Sequence, residues 1–267
     1  MVSAFLVFEP TAEPFIPYSL SHIIVLILLA AIIVGLYLCR DRLSETFRRR
    51  FRFSLAAGLF LQELFIQGWN IAGGFWSPDA SLPLHLCNVS CLLCGVMLLK
   101  GNQTLYEITY FCGLIGAAQA LLTPDLGPFA FPHVIFYRFF FAHSAIIIAC
   151  LYMTFVEKYR PYWASIGKTV VITNLFMLFV GAVDYITGGN YMYLRAKPDN
   201  PSLLDILGPW PWYILSLEAV ALFLMVIYYL PFAFGDWRKA RREKAQIEKA
   251  QETASPRSSQ GQPPLGM

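Results

Sequence analysis

SLSHIIVLILLAAIIVGLYLC, residues 19–39, runs directly into RDRLSETFRRRFR, residues 40–52. The first stretch contains no Asp, Glu, Lys or Arg. As a helix it is long enough to cross a hydrocarbon layer of ~30 Å. The second stretch holds Arg40, Arg42, Arg48, Arg49, Arg50 and Arg52. An uncharged run closed by a cluster of arginines is a membrane span with its cytoplasmic flank, which puts the N-terminus outside.

Working outward, the same alternation continues. Apolar runs at residues 53–74, 82–99, 103–122, 133–156, 163–187 and 210–234 are each separable by polar loops. Loops 75–81 and 123–132 carry no Lys or Arg, and loop 188–209 carries only Arg195 and Lys197. The intervening flanks hold Lys100, Lys158, Arg160, Arg238 and Lys239. The expected fold is therefore all-α: a polytopic membrane bundle of about seven transmembrane helices, N-terminus outside and C-terminus cytoplasmic. Trp76, Trp163, Trp210, Trp212 and Trp237 fall near the expected interfaces, as an aromatic belt does.

The composition agrees. Hydrophobic residues make up 57% of the chain and charged ones 14%, with a mean hydropathy of +0.54, against about 25% charged in a soluble domain. The net charge of +3 is small, and its basic residues flank spans rather than forming a nucleic-acid surface. Three parts are expected: an outer segment 1–18, a seven-helix domain 19–235, and a basic cytoplasmic tail 236–267. The tail ends in ASPRSSQGQPPLGM, whose composition reads as disordered. Residues 1–18 have acidic Glu9 and Glu13 and no basic residue, so they do not read as a secretory signal.

All six cysteines (Cys39, Cys87, Cys91, Cys94, Cys112 and Cys150) lie in apolar segments. Cys91-x-x-Cys94 has no second pair, so packing is the expected role. No HExxH, GxSxG, P-loop or GxGxxG motif occurs, and no cofactor is expected.

Polar groups at membrane depth cost at least ~2.5–3.5 kcal/mol on insertion scales, so they are expected to face the bundle interior. Glu63, Gln67, Asn70 and Gly74 share one face of a helix. In the third span, helical phase puts Ser81, His85 and Asn88 on one face and Cys87, Cys91 and Cys94 nearly opposite. Arg138 and His143 lie in the fifth span, Asn174 and Asp184 in the sixth, and Glu218 in the seventh. Glu63, Gln67, Asn70, His85, Asn88, Arg138, His143, Asp184 and Glu218 all fall in the outward half. One outward-facing polar pocket is expected, with Glu63, Gln67, Asn70, Asn88, Arg138, Asp184 and Glu218 as its binding residues. A hydrogen-bonded packing network is the plainer reading of the same residues. Two histidines with carboxylates also suit a metal, although no local metal motif supports it.

Four motifs add a resemblance. LPLHLCN at 82–88, YRFFFAH at 137–143, NYMYLR at 190–195 and SLLDILGPWPWY at 202–213 resemble the YwaF-like bacterial integral membrane proteins over about residues 50–235. That family is distantly similar to a eukaryotic transmembrane acyltransferase of ether phospholipids and to transmembrane hydrolases of fatty-acid esters. The resemblance implies a bacterial inner-membrane protein that performs acyl transfer or ester hydrolysis on a lipid. It implies that His143 is the general base and that His85 or Cys87 is the reacting group or its orienter. Arg138 would then clamp the substrate head group. Membrane lipids are the expected partners, and no nucleic acid. A transporter or small-molecule-binding membrane protein, and a bundle whose polar network is only scaffolding, are the alternatives.

Overall fold

The computed structural model describes Leu6, Phe8, Glu9, Thr11 and residues 13–198 and 203–254. Among these residues the chain is entirely helical. Helix α1 spans Leu20–Cys39, α2 Glu45–Ala72 and α3 Leu86–Lys100. Helix α4 covers Gln103–Leu122, with a π turn at Thr109–Gly113. Helix α5 spans Val134–Phe155, α6 Trp163–Thr187 and α7 Trp212–Ala254. Five of them, α1, α4, α5, α6 and α7, are long and apolar enough to cross a membrane. The Pro- and Ser-rich end expected to be disordered lies, from residue 255 on, outside the described residues.

Helix α5 is the axis of the bundle. Its buried side chains cover most of its circumference, from Phe136 through Met153. It packs against α1, α2, α3 and α4. Such all-round apolarity is what a central membrane helix needs. Helices α1, α6 and α7 bury little of their apolar surface inside the bundle and so present it to lipid. The most extensive helix–helix contact is between α2 and α3. Gly95 makes this possible, because a Cβ there would lie 2.6 Å from the Phe60 ring. Small residues at such contacts let membrane helices approach each other.

Three boundaries differ from the sequence expectation. Helix α2 begins eight residues before the expected 53, because Ser44 caps it: its Oγ accepts from the Phe47 amide at 3.3 Å. The Arg48–Arg52 cluster therefore rides on a helix rather than a loop. Helix α3 starts only at Leu86, so residues 82–85 are not helical and His85 is an extended N-cap with φ −65° and ψ 145°. In the tail, the apolar part of α7 continues without a break into its basic part.

The basic end of the bundle is also more polar inside than the sequence reading allowed. Lys168 Nζ lies 2.5 Å from Glu107, whose side chain is buried. Gln103 donates to the same carboxylate at 2.9 Å. Arg48 and the Tyr152 hydroxyl both donate to Glu157 at 2.7 Å. Arg52 donates to the Leu98 carbonyl at 2.6 Å, and Arg160 to Asp236 at 2.6 Å. Polar side chains are thus not confined to one half, but at this end the carboxylates have cationic partners. Outside the bundle, the bond from Lys158 holds the Asp41 carboxyl below its usual range. That contribution is present at neutral pH and fades as pH falls through the lowered value.

Replacing Lys168 with Met leaves the Glu107 charge buried beside a single amide donor. Stability should fall by roughly 3–5 kcal/mol, while the double variant E107M/K168M should lose much less. Thermal unfolding of the detergent-solubilised variants measures both. Equal losses in the two would refute a paired-charge role.

Candidate functional site

The opposite end of the bundle gathers the C-terminal end of α2, the N-termini of α3 and α5, and the loop after α6. Glu63 on α2 is its buried anchor. Its Oε2 accepts from Asn88 Nδ2 of α3 at 3.0 Å, and its Oε1 from Gln67 at 3.3 Å. Arg138 of α5 brings Nη2 to 3.7 Å from the same Oε2. One carboxylate thus ties three helices. Gln67 extends the network by donating to the Ser81 carbonyl at 2.8 Å and accepting from Trp76 at 2.9 Å.

Arg138 is the least satisfied member. Its guanidinium makes no hydrogen bond among the described residues, and Nε is buried without a partner. Its Nη2 approaches the same Glu63 oxygen that accepts from Asn88, which places the guanidinium beside the start of α3. It therefore links residues of α3 and α5 that the sequence motifs singled out.

Cys87 sits beside this group in the first turn of α3, next to Asn88. His85 is extended, so its direction says nothing about the face of Cys87. Within the helix, Cys91 is the neighbour of Cys87 at i, i+4 and of Asn88 at i, i+3. The expected alignment of His85 with Asn88 on one helical face does not exist. Cys87 is half-buried, whereas Cys91, Cys94, Cys112 and Cys150 are buried, and all are free thiols. For the deeper cysteines the packing role holds.

His143 is buried and lies one turn beyond Phe139. Its Nδ1 donates to the Phe139 carbonyl at 2.7 Å. That bond fixes the neutral ring with its proton on Nδ1, leaving Nε2 as an acceptor.

His85 belongs to a second group. Its Nδ1 accepts from the Met192 amide at 3.3 Å, and its ring packs edge-on to Tyr191 at 5.4 Å. Asp184, fully buried at the end of α6, accepts from the Tyr191 amide at 2.8 Å through Oδ1, and Oδ2 has no hydrogen-bond partner among the described residues. Gly188 turns the chain sharply here with φ 81°. Met192 and Tyr193 follow at φ 55°, a conformation side-chain-bearing residues rarely hold. The loop is over-determined by its bonds. The Tyr191 hydroxyl donates to Pro78 O and accepts from the Leu82 amide, both at 2.9 Å, and the Tyr213 hydroxyl donates to Tyr193 O. Tyr191 thus holds the segment leading into α3. The sequence reading missed it, although a tyrosine inside the NYMYLR motif was its only available signal.

The single pocket expected from sequence is therefore divided. Glu63, Gln67, Asn88 and Arg138 meet, with Cys87 and His143 in reach of Arg138. His85 and Asp184 meet across the loop at 191–193. Glu218 lies elsewhere, in a small cleft between α6 and α7 with Thr173 and Asn174. Asn70 is half-buried beyond Gln67, and its carbonyl accepts from the Phe75 amide at 2.9 Å. No group of three or more His, Cys, Asp or Glu residues among those described could hold a metal. Along the other side of α5 runs an apolar groove of about 600 Å³, shared with α1. Leu28, Ile32, Tyr137, Phe141 and Ser144 line it.

In a C39S background, a small maleimide should label Cys87 well ahead of Cys91, Cys94, Cys112 and Cys150; mass-spectrometric mapping that found Cys91 first would contradict this placement. Replacing Tyr191 with Phe removes one donor and strands the Leu82 amide. It should cost roughly 1–3 kcal/mol, seen as a lower unfolding temperature, together with faster Cys87 labelling.

Comparison with curated proteins and with solved structures returns no match. A family model does match, over residues 17–229, which includes α1 through most of the apolar part of α7 and every residue of the cluster around Glu63. The chain belongs to the TMEM164 family, a family of transmembrane proteins.

Proposed function

We propose that this protein is a lipid acyltransferase or lipid-ester hydrolase of the bacterial inner membrane. All seven helices cross or enter the bilayer, with the N-terminus outside and the basic end cytoplasmic, so that the site opens outward. The observation that carries the reading is Arg138: an incompletely partnered guanidinium on the helix of His143 meets the Glu63 oxygen that Asn88 also meets, next to the half-buried thiol of Cys87. The four motifs resembling YwaF-like proteins, a family distantly similar to acyl-transferring enzymes, support the same chemistry.

Cys87 is the nucleophile and His143 the general base. His143 Nε2 takes the thiol proton, which its acceptor tautomer allows. The sulfur attacks the ester carbonyl carbon, forming the C–S bond while the carbonyl π pair moves to oxygen. Collapse breaks the C–O bond, and the departing alkoxide takes the proton back from His143. An alcohol or water then gives a proton to His143 and attacks the thioester carbonyl; collapse breaks the C–S bond, and the departing Cys87 thiolate takes that proton back from His143. His85 positions the entrance to α3 through Met192 and carries no proton in this scheme.

A transporter fits less well. Alternating access needs an opening at both ends, and the basic end is crossed by the pairs Glu107–Lys168, Arg48–Glu157 and Arg160–Asp236.

Purified protein in nanodiscs should cleave or transfer acyl chains from long-chain esters or phospholipids. C87A and H143Q should each reduce the rate at least about 100-fold, the range for loss of nucleophile or base. Wild-type protein inert on both classes of ester, or C87A at full rate, would overturn the reading.

A further inference from the structure

Helix α3 begins one residue before Cys87, and nothing caps it. The His85 side chain makes no capping bond. The Val89 amide reaches the His85 carbonyl at 3.1 Å, but the amides of Leu86, Cys87 and Asn88 make no hydrogen bond among the described residues. A helix N-terminus that leaves its first donors open is a ready site for negative charge. Arg138 presents the same anomaly from α5: a half-buried guanidinium with Nε buried and unpartnered, and its nearest carboxylate oxygen at 3.7 Å, beyond hydrogen-bond reach. Arg138 and Asn88 meet at the same Glu63 oxygen, so both sets of unsatisfied donors lie at one helix start, next to Cys87.

Resting on the acyl-transfer reading, we propose that Arg138 and the first-turn amides of Cys87 and Asn88 form the oxyanion hole of the reaction, and that Arg138 is not a head-group clamp. The charge balance decides between the two. Glu63 already neutralises Arg138, so a permanently bound phosphate would stand against the Glu63 carboxylate. A transient oxyanion gains the open donors only as the carbonyl oxygen becomes charged. Donors that strengthen in the transition state accelerate the reaction, whereas donors that bind the ground state equally do not. The nucleophile's own amide and that of the next residue are also placed for an oxygen on the carbon that its sulfur attacks. Glu63, bonded to Asn88 and Gln67, is a positioning residue that holds Arg138 toward α3.

The test uses two substrates, a phosphatidylcholine and an uncharged p-nitrophenyl fatty-acid ester, in nanodiscs. R138Q should lower kcat about 100–1000-fold on both, with KM changed less than about threefold. R138K should recover part of kcat. A long-chain trifluoromethyl ketone, which traps a cysteine as an anionic adduct, should bind R138Q weaker by a factor similar to the loss in kcat, and this reading does not depend on turnover. A raised KM confined to the phospholipid, with kcat intact on the uncharged ester, would overturn the proposal in favour of a head-group clamp. Loss of activity in C87A with none in R138Q would sink the oxyanion hole and leave the acyl-transfer reading standing. A wild type silent on both esters would remove both.

Discussion

A carboxylate buried where hydrocarbon replaces water must be neutralised and hydrogen-bonded, or it must give up its charge. Glu63 meets that demand by drawing Asn88 from α3, Gln67 from its own helix and Arg138 from α5. The consequence extends beyond local satisfaction. Because Asn88 is held to α2, the start of α3 is fixed in position, and Cys87 with it. Because Arg138 is drawn toward Glu63, its remaining donors are aimed at that same start. The close α2–α3 approach allowed by Gly95 against Phe60 keeps this geometry tight from below.

The two ends of the bundle answer the same constraint differently. At the basic end, Glu107 and Glu157 have short contacts to Lys168 and Arg48, and Arg160 reaches Asp236. Those pairs staple helices and leave little unspent capacity. At the opposite end, Arg138 Nε, Asp184 Oδ2 and the first amides of α3 stay unpartnered among the described residues. Arg160 Nε and Thr169 Oγ1 at the basic end are unpartnered too, but only at the opposite end do such groups lie beside an uncapped helix start, where a reacting or binding molecule would complete them. The left-handed backbone at Met192 and Tyr193 adds strain at the same end, held by Asp184, His85 and Tyr213.

Much of this was legible in the chain itself. Uncharged runs and arginine flanks specified a helical membrane protein, because backbone polar groups in lipid can be satisfied only within helices or closed barrels. The face of Glu63 and Gln67 was visible from helical spacing, and both do join one network. The motif at 137–143 contains Arg138 and the motif at 82–88 contains Asn88, and both of these residues meet Glu63. What failed was phase across a boundary. Treating residues 82–99 as one regular helix aligned His85 with Asn88 and turned Cys87 away, whereas the extended N-cap at His85 breaks that alignment.

Sequence by itself therefore determined the solvent, the helices and the set of costly polar residues, since each follows from local composition and periodicity. Only the tertiary structure decided how those residues partition. It separated Glu218 into the α6–α7 cleft, joined His85 to Asp184 through the loop at 191–193, and returned Cys87 to the side of Arg138. The physical reason is that helix starts and interhelical pairs are set by which partner reaches a buried charge first, and those partners lie far apart along the chain.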